Sequence, residues 1–336
     1  LPLNQRTMSQ AFKTAGYRTG YIGKWHLDGR ENPGFVPPER RRGFDYWAAY
    51  NVAHQHYDSV YFRDDPAPVK TTGFEPEVLT NLAVDFVRQR SERPFYLYLS
   101  LVAPHAPFTP PERSAVRDTE RLRLRPNVPA SAAERARKDL AGYYGLCAAV
   151  DANVGRLVKE LARTGGEEDT IVLFTSDHGN TLWSHGSEEI DRPFEECCRI
   201  PLIVRYPARI KPGSRTSALI SNVDYAPTLL SLCNVPPPGE MQGANAAGLL
   251  TGGGGGSRDS IFAEGAIGQS DEWRMMVRGR HKLVTDGSLR PTGFFDLDND
   301  PYEQENLAAN PRARGMVESM QARMRAWALR TGDRTG

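Results

Sequence analysis

Four stretches of the chain carry apolar residues at intervals of three and four, and each predicts a helix. Met8, Ala11, Phe12 and Ala15 share one face of a short segment over Thr7 to Ala15, with Gly16 as its stop. In "EPEVLTNLAVDFVRQR" the repeating positions are Val78, Leu82, Phe86 and Val87. A longer pattern runs from roughly Glu134 to Arg163 and ends on Gly165, and a last one from roughly Arg312 to Arg330 places Met316, Met320, Met324 and Trp327 on one side. Between them, "PFYLYLSLVAP", "DTIVLFTSDHG" and "RIPLIVRYP" are unbroken apolar runs of the kind found in strands buried on both faces. "YRTGYIG" adds a strand that runs into a lysine turn. Strands alternating with helices predict an α/β fold, a mostly parallel sheet sandwiched by helices.

Residues 32–72 are rich in Pro, Arg and aromatic residues without a period, and predict a long ordered loop. Five glycines, Gly252 to Gly256, predict a flexible link. The expected organisation is therefore an α/β domain over residues 1–251, a Gly-rich link over 252–258, and a small strand-plus-helix subdomain over 259–336.

Charge narrows the class. The 42 basic and 41 acidic residues leave a formal net charge of +1, which argues against a nucleic-acid surface built on bulk charge. No apolar run approaches the roughly 18 residues of a membrane helix. Cys147, Cys197, Cys198 and Cys233 have neither CxxC nor zinc-ribbon spacing and predict buried thiols, so they leave the compartment open. The chain opens "LPLNQRTMSQ", without an initiator methionine, a signal peptide or a strand before its first helix.

In open α/β sheets, sites form beyond the carboxyl ends of the strands. Two apolar runs deliver chemistry there: His105 in "APHAPF", and Asp177 with His178 in "SDHG". A carboxylate, an imidazole and a glycine on one turn suit metal ligation or acid–base work; the bland alternative is a capping Asp beside a surface His. Calcium and magnesium prefer oxygen, whereas a histidine ligand is more natural for zinc or manganese, so the metal stays open. His105, between two prolines, is held for proton transfer or anion binding, or is only pinned for packing. "GKWH" puts Lys24 and His26 together, where they could hold a tetrahedral oxyanion or form a solvated basic turn. His54 and His56 in "NVAHQHYDS", and His185 in "WSHGS", are weaker candidates for a pocket wall. "ERRRGFD" reads as a solvated face, and the arginines of "DFVRQRSERP" as helix surface.

"GYRTGYIGKWHL" closely resembles a signature of the sulfatase family, within the alkaline phosphatase-like superfamily. The segments "GFDYW", "HYDSVYF", "PFYLYLSLVAPHAPF", "YYGLCAAVDANVGRL", "DTIVLFTSDHGN", "PFEECCRIPLIVRYP", "NVDYAPTLLSLCNVP", "EWRMMVRGRHKLV" and "FFDLDNDPYEQENLA" follow in the family's order across nearly the whole chain. The resemblance implies hydrolysis of sulfate esters, with sulfated carbohydrate as the broad expectation for substrate. It implies a formylglycine nucleophile made from the Cys or Ser of a C/S-x-P-S-R motif, and a divalent cation, usually calcium. By motif position it makes Lys24 and His26 contacts to nucleophile and sulfate, His105 a contact to sulfate or leaving oxygen, and Asp177 and His178 two of the metal ligands.

The sequence departs from the family's pattern in three places. No C/S-x-P-S-R motif occurs in these residues, and neither does the family's Asp-Asp pair. Both normally lie upstream of the GKWH segment, so an N-terminally truncated chain is the expectation. Ile190 stands where the family usually has a sulfate-binding lysine, with Arg192 nearby. A phosphodiesterase or phosphonate hydrolase of the same superfamily commonly uses a DHG turn for zinc or manganese, but lacks the GKWH cluster. An inactive binding protein with the same fold is the third reading; the missing nucleophile motif and Ile190 speak for it.

Overall fold

Thr7 caps the first helix, α1 (Met8–Thr14), through a capping box: its side chain accepts from the Gln10 backbone while the Gln10 side chain accepts from the Thr7 backbone. In this computed structural model, which describes residues 2–29, 34–89 and 91–333, the chain then enters β1 (Arg18–Trp25). The segment expected to be loop supplies β2 (Tyr46–Asn51) and the short antiparallel pair β3 (Val60–Tyr61) and β4 (Val69–Lys70). Next come α2 (Glu75–Arg88), β5 (Phe95–Ser100), α3 (Ala133–Arg163), β6 (Val172–Thr175), α4 (Glu195–Cys198) and β7 (Leu202–Arg205). Helices α5 (Tyr225–Leu232) and α6 (Ala247–Leu250) lead to β8 (Ile261–Gly265), β9 (Trp273–Arg278), β10 (His281–Asp286) and β11 (Pro291–Asp296), and α7 (Arg314–Thr331) closes the chain.

The central sheet is parallel, in the order β2-β1-β5. Alternation along β1 sends Tyr21 and Trp25 to one face, with Trp47 and Ala49, and Ile22 to the other, with Ala48 and Tyr50. Leu79 and Ala83 of α2 cover the Ile22 face. Leu146, Ala149 and Val150 of α3 pack on Phe74 and Ala103 beside it. β2 escapes the sequence pattern because its side chains are aromatic or small, without the leucines that mark β5; its outer side bridges to Phe62 through Ala49.

β6 and β7 pair antiparallel, and the three apolar runs are less buried than expected. Tyr98 is 45% exposed, Phe174 36% and Ile203 62%. Among the described residues β5 pairs only with β1, and β6 only with β7, so each keeps an open edge beside these side chains. The C-terminal part forms an antiparallel sheet, β11-β10-β9-β8, with Met276, Leu283 and Phe294 packed against Val317, Met320 and Met324 of α7. Met316, expected on that face, is instead 41% exposed.

The arginines of "ERRRGFD" are not a solvated face. Arg41 and Arg42 are 3% and 5% exposed. Arg41 pairs with Asp64 at 3.0 Å, donates to the Val36 carbonyl at 3.0 Å and lies 5.2 Å over the Trp47 ring. Arg42 donates to the carbonyls of Leu3 and Gln5. Arg42 thus ties the β1–β2 connection to the N-terminal segment, and Arg41 ties it to the segment after β3. All four cysteines are free; Cys197 is buried and the other three are partly exposed.

Candidate active site

β1 ends at Trp25, so Lys24 sits on the strand rather than on the turn that the sequence suggested, and His26 is the first residue beyond it. Gly23 is there because β5 comes so close: a Cβ on it would stand 1.9 Å from the Ser100 carbonyl oxygen, and its φ is +103°. The Tyr21 hydroxyl donates to the Lys24 carbonyl at 2.5 Å, so the backbone of the lysine is held from the opposite face of the sheet. Burial lowers the Lys24 pKa from its usual value, and the nearby Asp177 carboxylate works against that shift.

The Lys24 ammonium donates to His54 Nε2 at 3.1 Å. The His54 ring stacks on His105, with centroids 4.5 Å apart and planes at 23°. The His105 ring meets His178 edge to face at 6.3 Å. Lys24, His54, His105 and His178 thus form a continuous line across the ends of β1, β5 and β6. His26 is exposed and lies near enough for its charge to oppose protonation of His54. Burial, then the Lys24 charge and the other histidines, hold the His54 pKa down at about 4, so at neutral pH it is a neutral acceptor for the lysine.

Tautomers follow from the backbone. His105 Nδ1–H donates to the Ala106 carbonyl at 2.7 Å, and His178 Nδ1–H to the Gly179 carbonyl at 2.8 Å. Each ring therefore presents Nε2 to the rim, as a lone pair when neutral and a donor when charged. The His105 turn is anchored twice more: its N–H donates to the Val102 carbonyl at 2.9 Å, and its own carbonyl accepts from His56 Nε2 at 2.7 Å. Asp177 is largely exposed and stands 3.7 Å from His178 Nε2. Its Oδ1 accepts from the His178 backbone at 3.0 Å. Gly179 admits α4 to this turn, donating to the Cys197 carbonyl at 2.8 Å; a Cβ there would stand 1.9 Å from the Glu196 carbonyl oxygen.

A cation needs more than this turn. Among the described residues no three of His, Cys, Asp and Glu come together as a metal cage. Asp177 and His178 are chemically suited as two ligands and do not by themselves meet the six to eight oxygens calcium prefers. Ile190 lines a cavity of about 250 Å³ with Glu189, Asp191, Arg192 and Asp271. Arg192 is committed to Glu189 and, at 3.3 Å, to Asp271. His185 stacks on Phe194 at 3.7 Å and accepts from Asn127 at 3.1 Å, a packing role. The residue that sequence reasoning underrated is His54; its H-x-H spacing was the available signal, but the partner lies 30 residues away on another strand.

A cationic lysine and a line of imidazoles at the carboxyl rim of a parallel sheet are chemically suited to meet an anion, on an α/β scaffold. Comparison with known proteins identifies the scaffold. The sulfatase family model matches residues 1–235, and the model for the C-terminal part of N-sulphoglucosamine sulphohydrolase matches residues 190–330. An ulvan-active sulfatase of Formosa agariphila is 31% identical over 99% of this chain and 68% of its own length. An N-acetylglucosamine-6-O-sulfatase of Bacteroides thetaiotaomicron is 27% identical over 92% of this chain and 68% of its own length. The solved structure of a Bacteroides fragilis protein assigned as the sulfatase YidJ superposes with a TM-score of 0.89 at 28% identity, covering 100% of this chain and 79% of that one. The chain belongs to the sulfatase family and is a sulfuric ester hydrolase by descent.

Proposed function

We propose that this chain serves the hydrolysis of carbohydrate sulfate esters by supplying the groups that hold the sulfate and address the leaving oxygen, with a formylglycine nucleophile that residues 1–336 do not contain. The observation that carries the reading is the Lys24–His54–His105–His178 line at the sheet rim, on a chain whose relatives are named for ulvan and for N-acetylglucosamine-6-sulfate. Lys24 and His26 hold the sulfate oxygens and stabilise the negative charge that grows on them in the transition state. His105, with Nδ1 committed to the backbone, offers Nε2 to the sulfate or to the leaving oxygen, which must gain a proton as the sulfur–oxygen bond breaks. Asp177 and His178 contribute two ligands to a divalent cation, calcium on the family's precedent, with Mg²⁺, Mn²⁺ or Zn²⁺ as other fillings.

A formylglycine hydrate would supply the nucleophile in this chemistry, and a cation held in part by Asp177 and His178 would offset the negative charge of the sulfate. Residues 1–336 contain no motif for making formylglycine. As this stretch alone, the protein is expected to bind sulfated sugar without releasing sulfate.

Calorimetric titration tests the reading. A 6-O-sulfated N-acetylglucosamine binds and the unsulfated sugar does not, and Lys24→Ala abolishes the difference. Equal binding of both sugars sinks the proposal, and preference for a phosphodiester over the sulfate moves it to the phosphodiesterase branch of the superfamily. Release of 4-nitrophenol from 4-nitrophenyl sulfate by residues 1–336 alone overturns the assignment of the nucleophile.

A further inference from the structure

His54 and His56 lie in a segment between β2 and β3, and neither is a sulfate or metal contact in the reading above. Yet both address the same turn. His56, 2% exposed, holds the His105 carbonyl through Nε2 at 2.7 Å, while His54 covers the face of the His105 ring at 4.5 Å. His54 also accepts from the Lys24 ammonium at 3.1 Å. Residues two apart in an extended stretch ordinarily point to the same side, and both side chains reach this one turn. Here one grips the main chain of the turn and the other its side chain, and the second reaches a strand as well.

We propose that His54 is a positioning residue: it orients the Lys24 ammonium through Nε2 and the His105 imidazole through ring stacking, so that the two meet one sulfate group together. A lysine on a flexible stem has three rotatable donors and no preferred direction of its own. An acceptor on one of them turns the other two toward the rim. Stacking limits the rotation of His105 about its Cβ–Cγ bond, which the Nδ1 contact to Ala106 alone would leave able to rock. The proposal rests on the reading of Lys24 and His105 as sulfate-holding groups.

Two substitutions separate the two tasks. His54→Gln keeps an acceptor for Lys24 and loses the ring; His54→Phe keeps the ring and loses the acceptor. Inorganic sulfate titrated into the chain is expected to bind roughly tenfold more weakly to His54→Phe, the value of one charge-assisted hydrogen bond, and within about threefold of the parent to His54→Gln. In NMR spectra the Lys24 ammonium signal, protected from exchange by its acceptor, survives in His54→Gln and is lost in His54→Phe. The His105 ring-proton shift behaves in the opposite way, because it reports the stacked ring.

Equal loss of sulfate affinity in both variants, or parent-like affinity in His54→Phe, overturns the lysine contact. An unmoved His105 resonance in His54→Gln overturns the stacking. If the parent chain binds no sulfate, the functional reading falls; the two NMR signals still decide whether His54 holds Lys24 and His105.

Discussion

Glu75 opens α2 with no exposed surface, and its Oε1 accepts from the Tyr50 hydroxyl. Its backbone N–H donates to the His56 carbonyl at 2.8 Å, and Tyr50 is the register partner of Lys24, so this carboxyl lies directly beneath the site. Burial raises its pKa from 4.5 to about 8, against the smaller opposing pull of the Tyr50 hydrogen bond. The folded chain therefore keeps the proton at neutral pH while the unfolded chain releases it. Between those two pKa values the folded state binds more protons, so stability is full in acid and falls as pH rises, by about 1.4 kcal/mol per pH unit. From pH 5 to pH 7 the loss is about 2.5 kcal/mol. Glu75→Gln has the same shape and cannot ionise, so it should lack this component. Urea unfolding of both proteins at pH 5, 6, 7 and 8 measures it: the variant gains on the parent steadily across the series. Parallel curves would show that Glu75 ionises at its ordinary pKa, and would refute the reasoning.

Other consequences can be checked on the same footing. Lys282, fully buried, is paired with Glu303 at 2.8 Å and Glu195 at 3.2 Å, joining β10 to the helix that backs the Gly179 turn. Lys282→Met should cost about 3–5 kcal/mol in chemical denaturation, because it strands a buried carboxylate. Burial already raises the Glu303 pKa, so the cost should shrink in acid as the stranded group takes up a proton; a cost independent of pH would count against this. Gly179→Ala should destabilise by about 1–3 kcal/mol through its collision with the Glu196 carbonyl and move the His178 ring signals; unchanged His178 signals would show that the turn yields elsewhere.

The helices were legible because each is decided by local chemistry. α1 occupies Met8–Thr14, with Thr7 as its cap, against an expected span of Thr7 to Ala15, and α3 occupies Ala133–Arg163 against an expected start at Glu134. In α2 the face was right in kind but not residue by residue: Leu79, Ala83 and Val84 are buried where Val78 and Leu82 were expected, and Leu79 and Ala83 pack against Ile22 and Ala48 of the central sheet. The apolar runs announced β5, β6 and β7, yet they did not announce how exposed Tyr98 and Ile203 are. Exposure depends on which strands lie alongside, and a run of apolar residues carries no record of its neighbours.

By itself, the sequence settled the family, the main helices with strands β1, β5, β6 and β7, and the placing of His105, Asp177 and His178 just past strand ends. These follow from short-range periodicity and from motifs contiguous in the chain. Tertiary structure alone decided that Lys24 belongs to a strand, that Arg41 and Arg42 are buried, and that His54 stands between Lys24 and His105. Each of those depends on a partner at least ten residues away in the chain, brought near by sheet pairing and core packing. An isolated turn of "GKWH" is a cluster of cations; a strand end with a neutral imidazole beside it is a directed one.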